Sequence, residues 1–230
     1  MPTIPRQKPN LRSLETPNCL KELSFNSLKE AILSGNLVPG VLYSEPEIAK
    51  QLGTSRTPVR EALLELSQKG FITFLPRRGF QVKIQTEKSI RELYAFRMIL
   101  ETGIIRAIVP RIDATAIAKM AEIHHEDKLS SEKQDLNGFI RANRKFHGFL
   151  AELTENSYVI SSLENVRELM ELASLNIKNR IHRSAATVKE HKKIMDMLRK
   201  RDSNGAVEMM RQHILTTQEL LIKQVIIHRD

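Results

Sequence analysis

The chain holds one cysteine, Cys19, among 230 residues. A single thiol excludes an internal disulfide, and nothing in the sequence suggests an oxidising compartment. No run of roughly 18 apolar residues occurs, so no membrane-spanning helix is expected. The opening MPTIPRQKPNLRS lacks the apolar stretch of a secretory signal. These absences predict a cytoplasmic protein. Proline is almost missing beyond residue 86, where Pro110 stands alone. There is no internal repeat, no low-complexity segment and no HExxH zinc-protease motif.

What is present is basic. Lys+Arg of 36 against Asp+Glu of 27 leaves a net charge of +9 and a pI near 9.7. Such a balance favours phosphate-rich partners or an anionic membrane surface. The first 85 residues carry 12 Lys+Arg against 7 Asp+Glu, and the longer remainder 24 against 20, so the N-terminal third is the more basic per residue. At 41% hydrophobic the chain has ample material for a core, and its length suits one large or two modest domains.

Residues 1–17 carry four prolines and little apolar material, and are expected to form a flexible tail. From Pro17 to Leu33 a helical pattern runs through Leu20, Leu23, Leu28, Ile32 and Leu33 and stops at Ser34-Gly35. Ser44 followed by Glu47 has the spacing of a capping box. That predicts a second helix as far as Leu52, with a turn at Gly53. Ser55 is expected to cap a third helix, with Pro58 in its first turn, where a missing N–H costs little. Its apolar back is Val59, Leu63 and Leu64. Two β-prone runs, Phe71–Leu75 and Phe80–Ile84, flank Pro76-Arg77-Arg78-Gly79 and predict a hairpin with a basic tip. Three helices and a hairpin over residues 18–85 make a winged helix-turn-helix.

Residues 86–230 show helical periodicity throughout. Helices are predicted near 87–109, 112–130, 135–154, 157–182, 186–201 and 203–228. The fold class expected is mainly α: a winged helix-turn-helix followed by an antiparallel bundle of six helices.

A short helix, a tight turn and a second helix with basic and hydroxyl groups at its start is a way of placing side chains in a DNA major groove. Arg56 and Arg60 share a helix face. Arginine bonds guanine edges or phosphate, and threonine, here Thr57, does either more weakly. Ser55 and the helix N-terminus suit a phosphate, and Arg77 and Arg78 would reach the backbone or minor groove from the wing. Each arginine alone also reads as an ordinary surface residue; the joint arrangement favours DNA. The segment SEPEIAKQLGTSRTPVREALLELSQKGFITFLPRRGFQV resembles the winged helix-turn-helix of the GntR family of bacterial transcription regulators, most specifically in SRTPVREAL. The resemblance implies DNA contacts at Arg56, Thr57, Arg60 and Gly79. Pro46 departs from it, because family members usually carry a polar or basic residue there.

Three of the seven histidines fall on apolar helix stripes. His147 lies with Asn143 among Phe139, Ile140, Phe146, Leu150 and Leu153; His191 lies among Val188, Ile194, Met195 and Leu198; His213 lies among Met209, Met210, Ile214 and Leu221. Buried polar groups need partners. Either each imidazole is hydrogen-bonded in the core, or they converge on zinc, nickel, manganese or iron. The segments LYAFRMILE, ANRKFHGFLAELTENSYV, VKEHKKIMDML and EMMRQHILTT are together similar to the FCD effector-binding domain of the FadR subfamily, closer to its VanR-like branch. That resemblance implies a divalent metal held at Asn143, His147, His191 and His213, with Asn143 replacing the usual aspartate, and an effector carboxylate completing the coordination. Arg97 has two readings: an ion pair with Glu101 four residues on, or, by the resemblance, a fork for the effector carboxylate.

The expected function is sequence-specific transcription regulation by a homodimer on a palindromic double-stranded operator, modulated by a small carboxylate. Two alternatives stand beside it: a metal-dependent hydrolase with a DNA-binding head, and a nucleoid protein binding DNA without sequence preference.

Overall fold

The computed structural model describes residues 18–174 and 180–227. The predicted tail over 1–17 lies outside the described residues.

The N-terminal unit opens with α1 (Asn18–Leu33), followed by β1 (Leu42–Tyr43), α2 (Glu45–Gln51), α3 (Arg56–Gln68), β2 (Ile72–Leu75) and β3 (Gly79–Val82). Helix α1 buries Leu28 and Ile32, while Leu20 and Leu23, counted in the predicted apolar pattern, face outward. Gly53 sits at φ +63, the left-handed conformation that ends α2. The amide of Thr54 bonds the carbonyl of Ala49 and that of Gly53 the carbonyl of Lys50, so the chain reverses tightly into α3. Helix α3 seats Val59, Ala62, Leu63 and Leu66 on α1 and the sheet. Leu64, expected on that inner face, is 46% exposed.

The wing has three strands in the order β1-β3-β2, antiparallel throughout. The hairpin of β2 and β3 was expected; β1, two residues long, is too short to show alternation. Gly79, at φ +125, lets β3 lie against β1: a Cβ there would stand 2.0 Å from the Tyr43 carbonyl oxygen.

Two expected caps differ. Ser44 and Ser55 have extended N-cap backbones, but neither side chain bonds its helix. A capping serine accepts from the second or third helical amide. Pro58 removes the third in α3, whereas in α2 Pro46 removes only the second, and Ser44 leaves the third, that of Glu47, without a side-chain cap. A capping box does form at Thr86 and Ser89, where the bundle begins.

The bundle consists of α4 (Glu87–Ile108), α5 (Ala114–Glu132), α6 (Leu136–Glu152), α7 (Ser157–Ala173), α8 (Ser184–Arg199) and α9 (Ser203–Ile227). Asp113, Asp135 and Asn156 cap α5, α6 and α7 through their side chains. The helix predicted over 157–182 ends at Ala173, and Arg180–Arg183 form a 3-10 turn into α8; residues 175–179 of that prediction lie outside the described residues.

Two hydrophobic cores result. One belongs to the bundle. The other belongs to the N-terminal unit and takes in Leu172, with Leu169 packed against it, from α7. Lys29 of α1 bonds Glu168 of α7 at 2.8 Å. Helix α7 is therefore shared between the two units.

Candidate functional site

His147 on α6, His191 on α8 and His213 on α9 are all buried. Each offers a ring nitrogen such that the three lie within 4.8 Å of one another. A tetrahedral zinc, with Zn–N of about 2.0–2.1 Å, would hold its nitrogens roughly 3.3 Å apart, so a small inward movement closes the cage. Phe146 stacks on the His191 ring at 4.0 Å between centroids and fixes its plane.

Each imidazole is also held from behind. Nδ1 of His147 bonds Glu101 on α4 at 2.5 Å, Nδ1 of His191 bonds Asp127 on α5 at 2.8 Å, and Nδ1 of His213 bonds Glu190 on α8 at 2.7 Å. A carboxylate on one nitrogen fixes the proton there and turns the lone pair of the other nitrogen outward, the usual support of a metal-ligating histidine. Nε2 of His191 is buried with no partner among the described residues. An orphaned imidazole nitrogen facing two others is what a divalent metal satisfies, and imidazole suits zinc, nickel or iron. The donor set fits a metal.

The electrostatics agree. Burial pushes His147 well below the ordinary imidazole value against the pull of Glu101. It lowers His191 against Asp127, and His213 to about 4 against Glu190. All three are neutral at pH 7, the form that ligates. Burial alone would raise Glu101, but the Arg97 charge and His147 outweigh it and hold it well below the usual carboxylate range.

The ion-pair reading of Arg97 holds. Its Nε donates to Glu101 at 2.5 Å, and its Nη2 lies 3.3 Å from Nε2 of His147. It also lines a cavity of about 510 Å³ bounded by α4, α6, α7 and α9, together with Asn143, Arg167, Arg183 and His213. Arg97 and a metal would therefore compete for the same lone pair of His147. Asn143 lies one turn before His147, half-buried in the cavity wall. Glu101, Asp127 and Glu190 had no assigned role in metal binding from the sequence. Asp127 carried a usable signal, since it falls on the buried stripe of α5 with Met120, Ile123 and Ser131. His124, given no role, bonds the Val188 carbonyl.

On the N-terminal unit, Ser55, Arg56, Thr57 and Arg60 are exposed at the start of α3, and Arg77 and Arg78 are exposed at the wing tip. Arg77 takes φ +62 in the turn. Arg60 is 67% exposed in its side chain and lies 3.5 Å from Glu45, a surface pair that water and salt weaken. Six of the seven expected DNA-contacting residues thus present side chains on the surface, and Gly79 holds the wing to β1.

Residues 25–82 match the family described as bacterial regulatory proteins, gntR family, and residues 92–216 match the FCD domain. The chain is 28% identical over 192 residues to the Bacillus subtilis HTH-type transcriptional regulator YdhC, spanning 83% of this chain and 84% of that one. It is 23% identical to the Escherichia coli HTH-type transcriptional repressor RspR, over 85% and 86%. Among solved structures, E. coli McbR/YncC superposes with a TM-score of 0.75 at 23% identity, covering 89% of this chain and 98% of that one. A GntR regulator from Rhodococcus sp. RHA1 gives 0.74 at 22%, over 90% and 99%. These relatives are transcription regulators, which removes the reading of the histidine cage as a hydrolytic centre. No described helix is long and apolar enough to cross a membrane.

Proposed function

Because the chain belongs to the GntR family and carries an FCD domain, it is a DNA-binding transcriptional regulator and not an enzyme, and we propose that a small carboxylate bound beside a divalent metal in the helical unit sets its operator affinity. Residues 18–85 are the DNA head and residues 86–230 the sensor. The observation that carries the proposal is the cage: three neutral imidazoles, each backed by a carboxylate at Nδ1, one of which, His213, lines a cavity that also holds Arg97. His147, His191 and His213 would hold the metal, with the Asn143 amide oxygen as a weaker fourth donor. The ion would supply positive charge and an open coordination position to an anion. Arg97, with Nη2 turned from His147, would grip the same carboxylate through its fork.

In the head, Arg56, Thr57 and Arg60 would read the major groove, Ser55 and the α3 N-terminus would take a phosphate, and Arg77 and Arg78 would reach along the wing. A second copy of the chain would supply the other half-site. Support comes from α4, whose outer face exposes Phe96 (48%) and Ile99 (72%), an apolar pair suited to a homodimer. Helix α7 links sensor to head: Arg167, Met170 and Glu171 line the cavity, while Glu168, Leu169 and Leu172 meet the head. A ligand that shifts α7 shifts the seat of the DNA head.

Selection from a randomised DNA pool, followed by gel shift at physiological salt, tests the DNA reading. A palindrome should emerge, and Arg60→Ala should weaken it by about 1–3 kcal/mol. Elemental analysis and native mass spectrometry of the purified protein test the sensor reading. One divalent ion per chain is expected, and its loss in His191→Ala. Protein that stays metal-free in excess zinc would overturn the metal part.

A further inference from the structure

The cavity carries a charge imbalance that the carboxylate–metal reading does not use. Glu101 is answered by Arg97 and Glu190 by Arg183. Among the described residues Asp127 bonds only neutral His191, and its second oxygen is buried without a partner. The cage and its backing groups therefore carry one net negative charge, which a divalent ion would turn into one positive.

Arg167 then adds a second. It projects from α7 into the same cavity. Its one hydrogen bond among the described residues goes from Nη1 to the Asn143 backbone carbonyl at 3.3 Å, and its Nε is buried with no partner. No described carboxylate bridges it. Glu171, four residues on and also in the wall, lies 3.8 Å from Arg144 instead. A partly buried cation with no bound anion is costly until one arrives.

We propose that the effector is a short organic dianion, with one anionic end on the metal and Arg97 and the other on Arg167. Phe139, Ile140 and Met170 line the same cavity and enclose an apolar spacer. Arg167 is then the residue that separates diacids from monoacids, as a fork matched to a second carboxylate or phosphate. The inference rests on the carboxylate–metal reading, and its test separates the two.

Isothermal titration calorimetry of the full chain in zinc would use butyrate, valerate and hexanoate as monoanions. Succinate, glutarate and adipate would serve as dianions, with 3-phosphoglycerate as a carboxylate–phosphate that carries up to one further negative charge. At least one dianion should bind about ten-fold or more tighter than any monoanion, equivalent to about 1.4 kcal/mol. Preference for 3-phosphoglycerate over the diacids would assign the Arg167 end to phosphate, and the reverse to carboxylate. Arg167→Gln should cut the dianion advantage to about three-fold or less, weakening dianions much more than monoanions, whereas general damage to the cavity would weaken both alike. Arg167→Lys keeps the charge without the fork and should retain an intermediate advantage; it carries the test if the glutamine variant does not fold. Monoanions binding as tightly as every dianion, or a dianion advantage that survives Arg167→Gln, would overturn the role of Arg167 and leave the carboxylate reading intact. No binding by any acid would overturn both.

Discussion

Replacing Asp127 by asparagine changes one proton-accepting oxygen into an amide and leaves the shape of the side chain almost intact. Asp127 and His191 are both fully buried, 2.8 Å apart. The carboxylate accepts the Nδ1 proton and so keeps the His191 Nε2 lone pair free for a metal. An asparagine either accepts that proton more weakly or donates its own amide proton to Nδ1. The second arrangement moves the imidazole proton to Nε2 and blocks ligation. Loss of such a backing group typically lowers metal affinity by about 10–100-fold, or roughly 1.4–2.7 kcal/mol. Stability without metal should move the other way or not at all. Among the described residues the native carboxylate has one oxygen with no partner and no Lys or Arg paired to it, and a neutral amide removes that burial cost. Two measurements are needed on the metal-stripped protein: zinc affinity by competition against a chromogenic chelator, and thermal unfolding with and without zinc. The expected pattern is weaker zinc binding, a smaller zinc-induced rise in Tm, and an unchanged or higher metal-free Tm. Unchanged zinc affinity with a lower metal-free Tm would make Asp127 a structural acceptor and refute the backing role.

Three further outcomes are expected. Gly79→Ala, which sets a Cβ 2.0 Å from the Tyr43 carbonyl oxygen at φ +125, should cost about 1–3 kcal/mol in urea unfolding and weaken DNA binding through a displaced wing; unchanged stability would show that β3 parts from β1 freely. Lys29→Ala removes one of two cations from buried Glu168, leaving Arg144 at 3.4 Å, and should cost about 1–3 kcal/mol in the same assay; no loss would mean that the contact between α1 and α7 is not stabilising. The metal-free protein should lose stability as pH falls from about 6.5 to about 4, because the unfolded chain takes up a proton at His213 that the fold refuses until about 4; this group alone is worth about 3 kcal/mol, and a Tm flat across that window would refute the neutral buried imidazole.

Much of the head was legible because its signals are local. The glycine turn, the apolar back of α3 and the Arg-Arg-Gly wing tip each occupy a few adjacent residues. Ser44 and Ser55 take the N-cap positions expected of them, but the pattern names an acceptor and does not show that its hydroxyl bonds the helix. The three histidines were legible as polar residues on apolar stripes. Their partners were harder to find, since Glu101, Asp127 and Glu190 come from three helices and pair with histidines 46, 64 and 23 residues away. Periodicity says which face a residue occupies and not which helix it meets. Arg97 was assigned two competing roles because a sequence cannot show that one guanidinium reaches Glu101 with Nε and His147 with Nη2.

A ligand shifts an equilibrium only by its difference in affinity for the two states. In this fold that difference has a place to act. A ligand filling the cavity would meet Arg167 on α7, and the same helix gives Leu169 and Leu172 to the core of the head and Glu168 to Lys29. Helix α7 cannot adjust to a ligand without disturbing those contacts, because packed cores resist continuous deformation. The coupling must run both ways: if the effector changes operator affinity by some factor, operator DNA changes effector affinity by the same factor. Measuring effector affinity on the DNA-bound and the free protein therefore measures the strength of this link without assuming whether the effector releases DNA or tightens its grip.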